Sequence, residues 1–378
     1  MDIPFSTSPR ATLGVEMELA IVDLESRALV TASSELLSEM GAGFPGGEHP
    51  KAKHELYQCT IEAITGICET VAEARADLAE TLTDLNSVAR SHGYGIISAA
   101  THPFSGWAEQ TVSPNPRYHD LLRRLGWPAR RLTTHGTHYH VGVPSGPAAI
   151  AIANSLTYRL PVFLALSANS PFWNGLDTEM ASTRTKIFEG LPTAGLPPRV
   201  ETWADFERYM ETLITAGAIE SVRDVWWDVR PHPDFGTIEL RMCDAMPTLD
   251  EVMALAAMAQ SLVADLAARF DRGEPLPGCR DWVVKENKWR AARYGLEADL
   301  VDDDGCRTPI KDVIEALVDE LMPMAELLGC SAELASAERI VEGGAGYARC
   351  RTVTESGGTT SDVVDLLLEE FEAGCVTA

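Results

Sequence analysis

Basic residues are scarce in this sequence: 31 lysines and arginines stand against 56 aspartates and glutamates, a formal net charge of −25 over 378 residues. Sequence-independent binding to nucleic acid or to an anionic membrane needs cationic side chains that displace counterions, so neither partner is expected. No uninterrupted apolar run approaches the length of about 18 residues that reads as a spanning helix. Met1–Arg10 lacks the basic start and apolar core of a signal peptide, which makes the cytoplasm the expected compartment. The eight cysteines, at 59, 68, 243, 279, 306, 330, 350 and 375, include no C-x-x-C pair. A zinc ribbon and a thioredoxin motif are therefore absent, and reduced thiols are expected. Also missing are a G-x-x-x-x-G-K-[ST] loop and a G-x-G-x-x-G after a strand; the GGAG at 343–346 falls between helices. Any ATP must bind without a P-loop. There is no fixed-period repeat, and the Gly/Pro-rich stretches at 41–50 and 190–198 are too short to separate domains. One catalytic domain over residues 1–378 is expected, although the length alone would allow two or three.

A 45% hydrophobic composition is enough for a sizeable core, so the acidity belongs to a folded chain. Leu13–Val22 alternates around two glutamates and reads as a strand. Thr70 and Glu73 form a capping-box pattern ahead of a helical repeat that runs to Gly93, and Thr248 with Glu251 opens a second. Tyr94–Ala100, Thr137–Val143 and Asp228–Asp244 around Gly236 are strand-like. The last third is mainly helical, over 309–329, 332–341 and 361–371.

Within that frame the glutamates are unevenly placed. Glu16 and Glu18 lie two apart on the first strand, so both leave one face about 7 Å apart and repel unless a cation lies between them. Glu55 and Glu62 follow within HELYQCTIEAITG, and Glu239 sits in GTIELR with Arg241 two residues on. Any one of these would ordinarily be a solvated surface group. Five in apolar, strand-like surroundings point to a cation site, and oxygen ligation suits Mg²⁺ or Mn²⁺, with a nucleotide phosphate completing the shell. His138 and His140 form an H-x-H that fits either a zinc or iron site or a core hydrogen-bonding pair. Candidate phosphate or carboxylate contacts are Arg184 and Lys186 in STRTKIF, Arg230, Arg241, Arg290 and Arg293.

GVEMEL (14–19), THPF (101–104), GTHYHVGVP (136–144), LPVFLALSANSPFWNGLDT (160–178), WWDVRPHPDFGTIELRMCD (226–244) and ENKWRAARYGLEA (286–298) resemble, in order, the YbdK-type carboxylate–amine ligases of the glutamate–cysteine ligase type 2 family. The resemblance runs from about residue 12 to about 371 and implies an α+β fold: a glutamine-synthetase-like curved, mainly antiparallel sheet with helices on its outer face. It implies ATP- and Mg²⁺-dependent amide formation between glutamate and cysteine through an acyl phosphate, with release of ADP and phosphate, and a homodimer. Carried over, the metal ligands are Glu16, Glu18, Glu55, Glu62, His138 and Glu239. Arg241, Glu239 and Arg230 are then catalytic, and Arg184, Lys186 and Arg241 contact the nucleotide. Glu239→Ala is expected to abolish ADP release with the fold intact. Two departures stand out: Glu179 occupies a position after Asp177-Thr178 that is usually glycine, where it is a candidate to reshape the acceptor pocket, and Met17 replaces the Glu or Leu of VEEE or VELE. Other readings are a ligase for a different acid–amine pair of specialised metabolism, a metal-dependent amide hydrolase using His138 and His140, and a degenerate ligase kept as a binding protein.

Overall fold

In the computed structural model, which describes residues 1–376, the run around the first two glutamates is strand β1 (Leu13–Asp23). Leu13, Val15, Met17 and Leu19 are buried while Gly14, Glu16 and Glu18 between them are half-buried, the period of two that a strand shows when one face meets the core. Six strands join it: β2 (Ala52–His54), β3 (Thr60–Ile64), β4 (Tyr94–Ile97), β5 (Gly136–Gly142), β6 (Val229–His232) and β7 (Thr237–Asp244). Their order is β6-β7-β5-β1-β3-β2, with β4 against the far end of β1, and all these pairings are antiparallel.

The helices that matter here are α1 (Val71–Ser91), α2 (Pro116–Leu125), α3 (Gly146–Ser167), α4 (Thr183–Phe188), α5 (Leu249–Asp271), α6 (Asp281–Tyr294), α7 (Ile310–Leu328) and α8 (Ser331–Gly343). Helices α1, α3 and α5 cover the sheet face that carries Val15, Met17, Tyr139, Val141 and Leu240; α7 and α8 pack outside α5. The Tyr139 hydroxyl donates to the Val252 carbonyl at 3.0 Å and ties β5 to α5. The fold class expected from the sequence, a mainly antiparallel sheet with helices on one face, is the one observed.

Several local readings are revised. By length and composition α3 and α5 are each apolar enough to cross a membrane, which a search for uninterrupted apolar runs passes over; 72% and 78% of their most apolar windows are buried inside the protein, as for central core helices. The α5 capping box is complete, with Thr248 and Glu251 each accepting the other's backbone N–H. At α1 only half of it forms: Thr70 accepts the Glu73 N–H, but the Glu73 carboxylate takes the Glu69 N–H at 2.7 Å. The 228–244 run is a hairpin, β6 and β7, that turns at Gly236 with φ +68°, where a Cβ would also strike the Ser6 backbone. Against β5 the register of β7 shifts between Leu240 and Cys243, a bulge that contains Arg241. All eight cysteines are free thiols.

Candidate active site

Register assembles the site. Gly14 pairs with His140 and Glu16 with His138 between β1 and β5, and Glu18 pairs with Glu62 between β1 and β3. His140 pairs with Glu239, Glu239 with Arg230, and Glu62 with Lys53. Directly paired residues share a sheet face, as do residues two apart on a strand. The glutamates, the H-x-H histidines and two flanking cations therefore form one row across the face opposite the helices. Glu55 departs from the strand-like setting expected of it: it follows β2 in a loop, where its own carboxylate accepts the Leu56 N–H at 2.9 Å.

Within the row, Glu16 Oε2 lies 3.0 Å from His138 Nδ1, and its other oxygen 3.4 Å from His140 Nε2. Glu18 accepts the Gly136 N–H at 2.5 Å. Glu239 is 1% exposed and bound by two guanidiniums: Arg230 at 2.6–2.7 Å, and Arg241. The Arg230 Nη1 donates to the Val225 carbonyl at 2.7 Å and the Arg223 carbonyl at 3.3 Å, so this guanidinium lies behind Glu239. Burial works to raise the pKa of Glu16 and Glu239. Hydrogen bonds and charge from His138 and His140 outweigh it at Glu16, and Arg230 and Arg241 outweigh it at Glu239, holding both well below the usual carboxylate range. At Glu55 the Leu56 N–H and Arg241, and at Glu62 the opposite Lys53, are too weak to offset burial. Burial and the neighbouring carboxylates push Glu55 up to about 7 and Glu62 well above its ordinary value.

Ligand atoms of Glu16, Glu62 and His138 lie within 4.8 Å of one another, as do those of Glu16, His140 and Glu239. The Nε2 atom of His138 is buried with no hydrogen-bond partner, and that of His140 has only the long 3.4 Å contact to Glu16. Converging carboxylates beside an orphaned imidazole nitrogen are what a divalent cation would satisfy, and this donor set fits one.

A cavity flanks each side of the row. The larger, about 460 Å³, is lined by Glu18, Glu55, Arg184 and Arg241 on one side and by Arg117 and Arg124 of α2 on the other. The smaller, about 420 Å³, is bordered by Glu16, Glu62 and His140 and walled by Ile64, Ile67 and Phe235. Ile67 and Phe235 are both exposed. Arg184, at the start of α4, is buried with its guanidinium donating to the carbonyls of Arg241 at 3.3 Å and Met242 at 3.4 Å. Gly136 makes room for it, since a Cβ there would overlap the guanidinium.

Not every expected residue arrives. Lys186 shares α4 with Arg184 but turns away, its ammonium 2.8 Å from Glu189 and over the Trp289 ring. Arg290 and Arg293 pair with Glu286 and Glu179. Glu179 is exposed, lines neither cavity and has φ +59°, so a left-handed backbone, rather than the acceptor pocket, accounts for glycine at that position. The sequence reading missed Arg117 and Arg124. Their helix has no buried residue and so no apolar stripe; two arginines seven apart behind Asn115-Pro116 were the available signal.

A family model described as glutamate-cysteine ligase family 2 (GCS2) matches residues 12–365. A protein named "putative glutamate–cysteine ligase 2-1" from Frankia casuarinae is 49% identical over 376 residues, 99% of this chain and 98% of that one. One named "putative glutamate–cysteine ligase 2" from Thermobifida fusca is 48% identical over 375 residues, 99% and 94% of the two chains. Among solved structures, glutamate–cysteine ligase from Francisella tularensis in complex with AMP superposes with a TM-score of 0.73 at 12% identity, covering 99% of this chain and 90% of that one. The ligase PafA, in complex with the prokaryotic ubiquitin-like protein Pup, gives 0.51 at 13% identity, covering 96% and 72%. At these identities the structural likeness is one of fold.

Proposed function

Because the chain belongs to glutamate–cysteine ligase family 2, we propose that it is an ATP-dependent carboxylate–amine ligase that joins the γ-carboxylate of L-glutamate to the amine of L-cysteine and releases ADP and phosphate. The observation that carries the reading is one row of buried and half-buried carboxylates and buried imidazoles with a cavity on each side. A carboxylate is a poor electrophile, and phosphorylation by ATP makes it an acyl phosphate from which an amine displaces phosphate. That step brings two anions together in line. Mg²⁺ or Mn²⁺ bound in the row would neutralise phosphate charge during the transfer.

The residues divide the work by position. Glu16, Glu62, His138 and Glu239 would hold metal at the centre, with Glu18 and Glu55 toward the larger cavity. The smaller cavity, with Ile64, Ile67 and Phe235, suits the adenosine; the larger, with its arginines, suits the acid and the amine. Arg241 faces the larger cavity and would stabilise charge on the transferring phosphoryl group, an electrostatic contribution of several kcal/mol of barrier. Arg184 would orient the acid, while Arg230, behind Glu239, keeps that carboxylate ionised and aimed. Lys186 has no part in this arrangement.

The hydrolase reading loses ground because its H-x-H lies on a central strand of an antiparallel sheet, with both histidines drawn to Glu16. ADP formation with Mg²⁺ across a panel of acids and amines tests the proposal. Release that requires both glutamate and cysteine is expected. A different productive pair would move the substrate assignment, no acid-dependent ADP would favour a binding protein, and amide hydrolysis without ATP would favour the hydrolase.

A further inference from the structure

Behind the wall that carries Arg241 lies a charged cluster that the proposed chemistry does not use. Lys288 of α6, within the ENKWRAARYG block, has a side chain only 2% exposed, with Nζ 2.5 Å from Asp228 Oδ2 and 2.6 Å from Glu189 Oε1. Glu189 also takes Lys186 at 2.8 Å, so two ammonium groups and two carboxylates balance. Replacing such a buried cluster with apolar side chains is often neutral or favourable for stability, so stability alone does not account for it; fixing one arrangement of the chain is its better-supported use.

The two anions that Lys288 joins belong to segments lining the larger cavity. Asp228 lies two residues after Trp226, a lining residue, and its carbonyl accepts the Arg241 N–H at 2.8 Å just where β7 breaks register with β5. The Asp228 N–H in turn donates to the Gly195 carbonyl at 2.7 Å. Glu189 sits between Phe188 and Leu191, both lining residues, and caps the C-terminus of α4, the helix that carries Arg184. One ammonium thus clamps the segment that holds the Arg241 peptide to the segment leaving the Arg184 helix.

We propose that Lys288 is a positioning residue for the ligase reaction: through Asp228 it fixes the bulge that aims Arg241 into the larger cavity, and through Glu189 it fixes the facing segment. The inference rests on the reading of that cavity as the acid-binding side. A Lys288→Met/Asp228→Asn double variant of the full chain removes one charge of each sign, leaves Glu189 with Lys186, and keeps the Asp228 backbone carbonyl. Two measurements follow: ADP-release kinetics, and amide hydrogen exchange of the peptide containing Arg241 against peptides of α1 and α5.

The expected result is kcat lowered about tenfold to a hundredfold, KM for ATP within about twofold of the unmodified protein, faster exchange at Arg241 with α1 and α5 unchanged, and recovery of kcat in Lys288→Arg. A folded double variant with unmodified kcat, or with unmodified exchange at Arg241, overturns the proposal. So does exchange that rises equally everywhere, which marks a merely structural role. If the unmodified protein turns over no acid at all, the ligase reading fails and exchange at Arg241 alone decides the inference. Should the double variant not fold, Asp228→Asn alone is read by the same criteria.

Discussion

Glu239 is at once a candidate metal ligand and the counter-ion of Arg230 and Arg241, so its removal cannot be a change of chemistry alone. In Glu239→Ala the buried Arg230 and the cavity-facing Arg241 lose their partner, at an expected cost of about 3–5 kcal/mol, so loss of ADP release in that variant would not by itself report chemistry. Glu239→Gln keeps the shape and one acceptor oxygen. It is expected to lower kcat by about a hundredfold while unfolding in denaturant at a concentration closer to the unmodified protein than Glu239→Ala does. His102 makes a pH prediction away from the site. Its Nε2 donates to the Arg27 carbonyl at 2.9 Å, and its Nδ1 accepts from the Ser105 N–H at 2.9 Å, which requires a neutral ring. Burial, assisted by His135, pushes its pKa from 6.5 down to about 3. The unfolded chain therefore binds the extra proton first, so this contribution is complete above pH 6.5 and is lost as pH falls toward about 3. Between those limits His102 contributes a slope of about 1.4 kcal/mol per pH unit. Denaturant unfolding over this range should show a shallower acid limb in His102→Asn; an unchanged slope contradicts it.

Strand β1 shows why much of the site was legible and part was not. A half-buried strand writes its faces into the sequence with period two, so Glu16, Glu18, His138 and His140 could each be assigned a shared face before any pairing was known. What no local pattern contains is the register that sets Glu16 beside His138 and Glu239 beside His140, because those partners lie far apart in the chain. Helix α3, buried on nearly every side, has no polar face for periodicity to reveal, and Glu55 reaches the site from a loop. Lys186 misled because proximity to Arg184 in sequence is not proximity in direction on a helix: two residues apart, their side chains diverge. The alternation also predicts the effect of the family's other residues at position 17. Met17 is fully buried on the helix-facing side, away from the carboxylates. Met17→Leu is expected to cost less than about 1.5 kcal/mol with KM values unchanged. Met17→Glu would bury a charge and lose several kcal/mol, read as a fall in the denaturation midpoint.

Taken over the whole chain, the net charge of −25 is the wrong sign for the proposed binding of ATP and an acidic amino acid. The arrangement of the site resolves this, since local potential follows nearby groups rather than the total. Arg117, Arg124, Arg184 and Arg241 line the larger cavity, but so do Glu18, Glu55, Asp120, Glu220 and Asp224, and Arg117 and Arg124 already face Asp224 and Glu220; a cation in the carboxylate row would therefore supply most of the positive charge that the proposed phosphates need. Folded protein should therefore gain stability from Mg²⁺, by about 2.7 kcal/mol at a hundredfold excess over Kd. Thermal unfolding should report that gain, with most of it absent from Glu16→Gln; an equal rise in both proteins would place the cation elsewhere. If this row activates a carboxylate by phosphorylating it, oxygen transfer reveals the step most directly. With ¹⁸O in the γ-carboxylate of glutamate, ATP, Mg²⁺ and cysteine, one ¹⁸O is expected in each phosphate released. Phosphate free of ¹⁸O, formed alongside the amide, would contradict that activation.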